Sequence, residues 1–495
     1  MPRFLFRPVD VATLGFFRLI WGVLLTAEAL SRFRHVTGIY SPEFAHFRYL
    51  IAQWVPLPGS HAFLYLECAL LTIAGLAILC GVWFRTASVI YGLTFLHLFL
   101  IDEVYYNNHF YLTVLVCFLM AMTHADRAFS IRSYRARDSD GCAPADTVPS
   151  WEYWLIRGQI LILYVFGGIA KLNGDWIRGE PLRYWFSMGD QIKWPLNLVA
   201  SQDWFAMMAS WGGIFIDLVC PFFLLWKRTR WIAMTVFISF HLMNSQLFKI
   251  GLFPWIAIGL LVPFFAPSTA RTAWGWLQRF VAGVRRIRMP ELDTLSHSSR
   301  IPPQWIAAIF VVYFSIQIAV PFRHFLWGQR PDWTEVGQKF SWRMMLRNKD
   351  AYIRFVFDPP EAENWLNANP DKRPNIASEH IERMSEHPWM LLQYVRYLDE
   401  SLAANGYPDT KIYVHSVVSL NDRPYRVMID PTVDLTESAY PLWGIPEWIV
   451  PLDPTATQET RPLTEKDRIV AIQKGFADYL KQSPDKRPLG LGKAE

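Results

Sequence analysis

Trp154-Leu155-Ile156-Arg157-Gly158-Gln159-Ile160-Leu161-Ile162-Leu163-Tyr164-Val165-Phe166-Gly167-Gly168-Ile169-Ala170-Lys171-Leu172-Asn173-Gly174-Asp175-Trp176 decides the fold class. From Trp154 to Ala170 it is an apolar run of membrane-compatible character, closed by Lys-Leu-Asn-Gly. Eight similar stretches flank it, at roughly 11–30, 63–83, 87–101, 110–122, 205–226, 231–248, 251–265 and 305–320. Several are shorter than the roughly 20 residues of a full crossing, so their ends must recruit flanking polar residues. The expectation is a polytopic α-helical membrane protein with about nine transmembrane helices.

Composition agrees. Of 495 residues, 52% are hydrophobic and only 18% charged, whereas a soluble domain carries about 25% charged residues. This excludes a disordered chain and a nucleic-acid binder governed by charge. The first apolar run is too long, and lacks the small-residue site, for a cleavable signal peptide. With the N-terminus placed in the cytoplasm, the inside connections carry sixteen Lys and Arg and the outside ones seven. That asymmetry predicts an odd number of crossings and an extracytoplasmic C-terminal part.

Beyond Val320 the chain turns polar. Ala351–Phe357, Ile412–Leu420 and Tyr425–Ile429 read as strands, with Asn421-Asp422-Arg423-Pro424 as a turn between the last two. Pro388 opens a helix over 389–404, and Thr464 with Asp467 resembles a capping box for a helix ending near Lys481. The expected organisation is a helical membrane domain over 1–322, an extracytoplasmic α+β domain over 323–482, and a flexible tail over 483–495. Cys68, Cys80, Cys117 and Cys220 lie in apolar runs and Cys142 in a polar loop, so the polar C-terminal third has no disulfide framework.

Ionisable residues in apolar helices are costly unless paired or used. Lys171 shares a helical face with Gly167, Gly168 and Tyr164, a strip with room for a flat ring or a closely packed helix. Spacing alone favours a snorkelling lysine beside packing glycines. Asn107-Asn108-His109 opens the fourth stretch, where helix capping is the simpler reading. His241 shares its face with Asn244 and Ser245, as an interhelical hydrogen-bond strip would. Asp217 needs a partner or a proton that the sequence does not name. Phosphate-binding loops, HExxH, paired CxxC and GxSxG motifs are absent.

Taken in order, these blocks resemble the vitamin K-dependent γ-glutamyl carboxylase family. The resemblance is to a compact, bacterial-type member built on the horizontally transferred transmembrane domain. It runs from about Arg7 to Val450 through Arg7-Pro8-Val9-Asp10, Tyr106–Leu112, Arg157-Gly158-Gln159, Lys171–Trp176, Trp211-Gly212-Gly213 with Asp217, His241–Phe248, Phe340–Met345, Val418–Arg423 and Asp430–Asp434. It implies an enzyme that converts protein-bound glutamate to γ-carboxyglutamate with CO2 and O2, coupled to epoxidation of vitamin K hydroquinone or a menaquinol-type quinol. A γ-carbon proton is too weakly acidic for a side-chain base, so the quinol has to generate the strong base in a water-poor pocket. A lysine deprived of water suits the opening proton abstraction.

By the resemblance Lys171 is that base, with His109 and Asn108 at the active centre. His109 is suited to stabilising developing negative charge and Asn108 to orienting substrate. Tyr164, Gly167, Gly168, His241 and Asn244 are candidates for quinol or substrate contact. Ser341, Trp342 and Arg343 fall in the family's glutamate-binding region, with Arg343 a carboxylate clamp. Implied partners are a glutamate-containing protein or peptide, membrane lipid, and a quinone or epoxide reductase; no metal and no nucleic acid are expected. A bacterial inner membrane is the expected location. The sequence departs from the animal enzymes, with Phe340 in place of a Tyr, Ala170-Lys171 in place of paired lysines, and a shorter tail. Alternatives are a quinol oxygenase without glutamate carboxylation, a non-catalytic folding or export factor on the same helices, and a transporter.

Overall fold

The computed structural model describes residues 3–134, 147–188, 192, 194–282, 303–453 and 465–482. Every apolar stretch of the sequence is helical. The principal helices are α1 (Ala12–Arg32), α2 (His61–Cys80), α3 (Phe84–Ile101), α4 (Asn108–Ala121), α5 (Trp151–Lys171), α6 (Asp203–Leu218), α7 (Arg230–Leu247), α8 (Phe253–Gly259), α9 (Pro267–Ala282) and α10 (Pro303–Phe322). Among the described residues five of these, α1, α2, α3, α5 and α10, are long and apolar enough to cross a membrane. The count of nine crossings is thus not confirmed: by length and composition the other apolar helices fall short of a full span.

The reasons are local. Helix α4 has 14 residues. Helix α6 ends at Leu218, and a separate turn, Cys220–Phe223, follows with Pro221 in its first positions. Helix α8 is a single pair of turns with Pro254 near its start, and Pro263 sits in the 3-10 turn beyond it. Proline lacks the N–H that continues a helix, so it opens a new one instead. Helix α7 has 18 residues, but Arg230, His241, Asn244, Ser245 and Gln246 dilute its apolar character.

Helices α1 and α2 form the tightest pair. Gly22 lies against the backbone of Leu79, where an added Cβ would come within 2.5 Å of its Cα, and Gly75 lies against Thr26. Small residues at such contacts let apolar helices approach backbone to backbone. The membrane core continues through Leu14, Phe17, Trp21, Tyr91, Ile156 and Phe237.

The C-terminal part is α+β, as the sequence predicts. Strands β1 (Lys349–Asp358), β2 (Lys411–Leu420) and β3 (Arg426–Ile429) form an antiparallel sheet in that order. The β2–β3 turn places Asn421 and Asp422 at φ 51° and 58°, a left-handed conformation that Asn and Asp tolerate better than most residues. Helices α11 (Pro360–Ala368), α12 (Ser378–Glu386), α13 (Pro388–Ala404) and α14 (Glu465–Gln482) complete the unit. Pro388 stands in the first positions of α13 as expected. Thr464, Cys142 and the tail over 483–495 lie outside the described residues.

The two parts share a core. Phe47 and Val104, from connections of the helical part, pack with Trp389, Leu392, Val414 and Trp448. Arg48 binds α13 through its backbone: its N–H donates to Gln393 and its carbonyl accepts from the Trp389 indole. Asp175, just beyond α5, receives Arg330, Arg423 and Asn421 of the C-terminal part.

Candidate functional site

The quoted stretch builds the site by the way its helix ends. Lys171 is the last residue of α5. Asn173 then caps the next turn, accepting from the N–H groups of Asp175 and Trp176 and donating to the Ala170 carbonyl. The reversal throws Trp176 back over the helix end, 5.3 Å from the Lys171 ammonium. It sends Asp175 the other way, to the arginines of the C-terminal part. One six-residue motif thereby sets a buried lysine, its aromatic wall and the tie between the two parts.

Lys171 is 6% exposed and Asp217 on α6 is 3% exposed. Lys171 Nζ lies 2.5 Å from Asp217 Oδ2 and 3.4 Å from the Gly167 carbonyl. Glycines make the pairing possible. A Cβ on Gly168 would sit 2.6 Å from Leu218, and one on Gly213 would approach both Trp176 and Lys171. The strip at Gly167 and Gly168 therefore serves close helix packing, against α6 and the Trp342–Met344 segment, and neither glycine lines the cavity.

That cavity measures about 1,010 Å³ and receives Asn108, His109, Tyr164, Lys171, His241, Asn244 and Arg343. It thus collects seven of the side chains singled out in the sequence. The Tyr164 hydroxyl lies 2.9 Å from His241 Nε2, while His241 Nδ1 is buried without a partner among the described residues. His109 faces Phe253 across the cavity, with ring centroids 5.4 Å apart. Asn108 donates to the Arg343 carbonyl at 3.3 Å and accepts from the Tyr106 hydroxyl at 3.0 Å.

Ser341 and Trp342 stand behind the wall. Ser341 is held by Arg323 at 2.8 Å, and Trp342 stacks on Tyr111 with no solvent exposure. Phe340, Trp342 and Met345 all have φ near +55° to +60°. Non-glycine residues bear this conformation at a cost of roughly 1–3 kcal/mol each, and such residues gather at functional segments. Arg343 reaches the cavity, but its guanidinium already donates to Asp332 and Gln338, each at 2.8 Å. A carboxylate there has to share the arginine with these two acceptors.

Other lining groups were not signalled by local sequence. Arg32 is buried between Glu28 and Tyr40, with its guanidinium 4.1 Å from the Phe110 ring centroid. From the C-terminal part, Lys339 pairs with Glu103, Arg347 binds Glu335 at two points, and Lys349 binds Glu335 at 2.6 Å. Burial, then the cations Lys339, Arg347 and Lys349, hold the His387 imidazole well below its ordinary pKa. It is therefore neutral near pH 7. The cavity's lining combines aromatic side chains and the buried pairs Lys171–Asp217 and Arg32–Glu28 of the membrane helices with the charged pairs of the C-terminal part. Among the described residues no three His, Cys, Asp or Glu side chains converge within it.

Residues 6–269 match the HTTM domain, and residues 302–455 match the lumenal domain of vitamin K-dependent gamma-carboxylase. A helical membrane unit and a lumenal-type unit thus meet around one cavity. The chain belongs to the vitamin K-dependent gamma-carboxylase family. No solved structure matches it.

Proposed function

We propose that this protein is a membrane carboxylase that adds CO2 to the γ-carbon of protein-bound glutamate, driven by epoxidation of vitamin K hydroquinone or a menaquinol-type quinol. In sum, quinol, O2, CO2 and a glutamyl residue give epoxide, water and γ-carboxyglutamate. The observation that carries the reading is the buried Lys171–Asp217 pair, in one cavity with His109 and Asn108, between the two matched domains. The quinol, once oxygenated, supplies the strong base that no side chain can provide.

The protein's residues do the rest. Lys171 takes the first proton of the hydroquinone, and Asp217 positions the amine and shares its surplus proton, so that the amine is available as a base. Trp176, Tyr164 and Phe253 keep water from the lysine and shape a slot for a flat ring. His109 and Asn108 stabilise negative charge as it develops. Arg343, on the strained Phe340–Met345 segment, meets the glutamyl carboxylate from the C-terminal part. In this reading the N-terminus is cytoplasmic, the lumenal-type domain is extracytoplasmic in a bacterial inner membrane, and the shorter helices complete an odd number of crossings.

The test is incorporation of ¹⁴CO2 into a glutamate-containing peptide by the full chain in detergent, with vitamin K hydroquinone and O2, and epoxide measured in parallel. Label and epoxide both appear in the wild type, and both fall to background in Lys171→Ala. Epoxide without label would make the protein a quinol oxygenase. Neither product from a folded sample would overturn the enzymatic reading.

A further inference from the structure

Outside the cavity, three fully buried side chains from distant parts of the chain converge on one point. His46 lies in the connection after α1, Asp102 at the end of α3, and His380 on α12 of the lumenal-type domain. They are 2%, 1% and 0% exposed. His46 Nδ1 lies 2.9 Å and His380 Nε2 2.7 Å from the same oxygen, Asp102 Oδ2. One ligand atom from each falls within 4.8 Å of the other two.

The hydrogen bonds around the cluster constrain what can lie inside it. His46 Nε2 is 3.1 Å from the Ser41 carbonyl, which can only accept, so that nitrogen carries the hydrogen. A neutral imidazole then turns a bare Nδ1 lone pair toward a carboxylate oxygen, which is repulsive. Either a proton or a metal ion has to lie between them. The other Asp102 oxygen, Oδ1, accepts the Val104 N–H at 2.9 Å, which fixes the carboxylate with Oδ2 facing both imidazoles. A histidine donating its far N–H to a backbone carbonyl, beside a hydrogen-bonded carboxylate, is the outer support usual at metal ligands.

We propose that His46, Asp102 and His380 bind one divalent transition-metal ion, with zinc the best match to two imidazoles and a carboxylate. Zinc–nitrogen and zinc–oxygen distances of about 2.0–2.2 Å place tetrahedral ligand atoms roughly 3.3–3.5 Å apart, so the contacts of His46 and His380 to Asp102 Oδ2, at 2.9 and 2.7 Å, have to open by about 0.4–0.8 Å to admit the ion. The surroundings are apolar: Phe44, Phe47 and Tyr105 ring His380, and the Tyr105 hydroxyl is buried without a partner among the described residues. The ion joins two outer connections of the membrane domain to the lumenal-type domain. Among the described residues no disulfide makes such a tie, since Cys68, Cys80, Cys117 and Cys220 are all free. The site is structural, apart from the catalytic reading above, and stands or falls without it.

The experiment measures metal rather than turnover. The full chain is purified in detergent by a tag that binds no metal and without chelator, and its zinc is quantified by mass spectrometry. About one equivalent per chain is expected, falling at least fivefold in His380→Gln and in His46→Gln. Because either variant can also misfold, a second measurement uses the wild type alone. Chelator-stripped protein is given Co2+, and visible absorption of a low-symmetry cobalt site is expected at one equivalent. Less than a tenth of an equivalent of any transition metal, with no cobalt spectrum, would overturn the site and leave a proton as the cation between His46 and Asp102. Metal retained in full by both folded variants would overturn the ligand assignment.

Discussion

Lys171 and Asp217 are the pair on which the proposed chemistry turns. Replacing Asp217 with Asn keeps the shape but leaves the amine without its anion. Breaking one side of a buried pair costs about 3–5 kcal/mol when the charge stays behind. We expect Asp217→Asn to lower quinol turnover on the order of 100-fold, mainly in kcat, and to reduce thermal stability; paired kinetic and melting measurements separate the two. Asp422 offers a test of a different kind. Burial, then the neighbouring carboxylates Glu180 and Asp350, push its carboxyl up to about 7. Below about pH 4 it is protonated both folded and unfolded, and costs nothing. As pH rises toward 7 the unfolded chain ionises first, so stability falls, and above 7 the loss is complete. Asp422→Asn should therefore raise Tm by about 2–4 °C at pH 8 and leave it unchanged at pH 4, with differential scanning fluorimetry as the readout. Asparagine also suits the φ of 58° at this position.

Among the elements, the glycine contacts of α1 and α2 are the most exacting. The atom that a Gly22 side chain would strike is backbone, at 2.5 Å, so no rotamer can relieve it. Gly22→Val should force the two helices apart and cost about 1–3 kcal/mol, seen as a lower melting temperature and poorer recovery in mild detergent. The helices themselves were legible in the sequence, because apolar runs fix their place. Their lengths were not, because prolines at 221, 254 and 263 and the polar face of α7 act within a run that hydropathy averages over. The three strands and their turn were legible through alternation and the Asn-Asp-Arg-Pro signal. The site was half legible. Lys171 and Asp217 each announced themselves as ionisable groups in apolar helices, yet they are 46 positions apart. The close packing of the two helices at Gly167, Gly168 and Gly213 brings them together. Helices α9, α11 and α12 went unread, α12 among them although it carries His380.

At the scale of the whole molecule, the two domains meet through Asp175 as well as through a shared core. Burial alone would raise its carboxyl; hydrogen bonds and charge from Arg423 and Arg330 overcome this and hold it below the usual range. Asp175→Ala should leave two arginines facing an apolar contact. The expected result is faster proteolytic release of the lumenal-type domain, at least fivefold in a timed digestion, with the membrane helices still folded by circular dichroism. Equal digestion rates would mean that the shared core around Phe47 and Trp389 holds the domains unaided.

The cavity's uneven walls carry a consequence for kinetics. Aromatic side chains of the membrane helices form part of the lining, and arginine, lysine and glutamate pairs of the C-terminal part form another. A greasy quinol and an acidic peptide, the substrates of the proposed function, do not dissolve in one medium at useful concentrations, and the two kinds of lining suit them separately. Two reagents held by different parts of the lining need not queue. Raising either one should then leave the half-saturating concentration of the other unchanged, and initial-rate plots for the pair should intersect on the concentration axis.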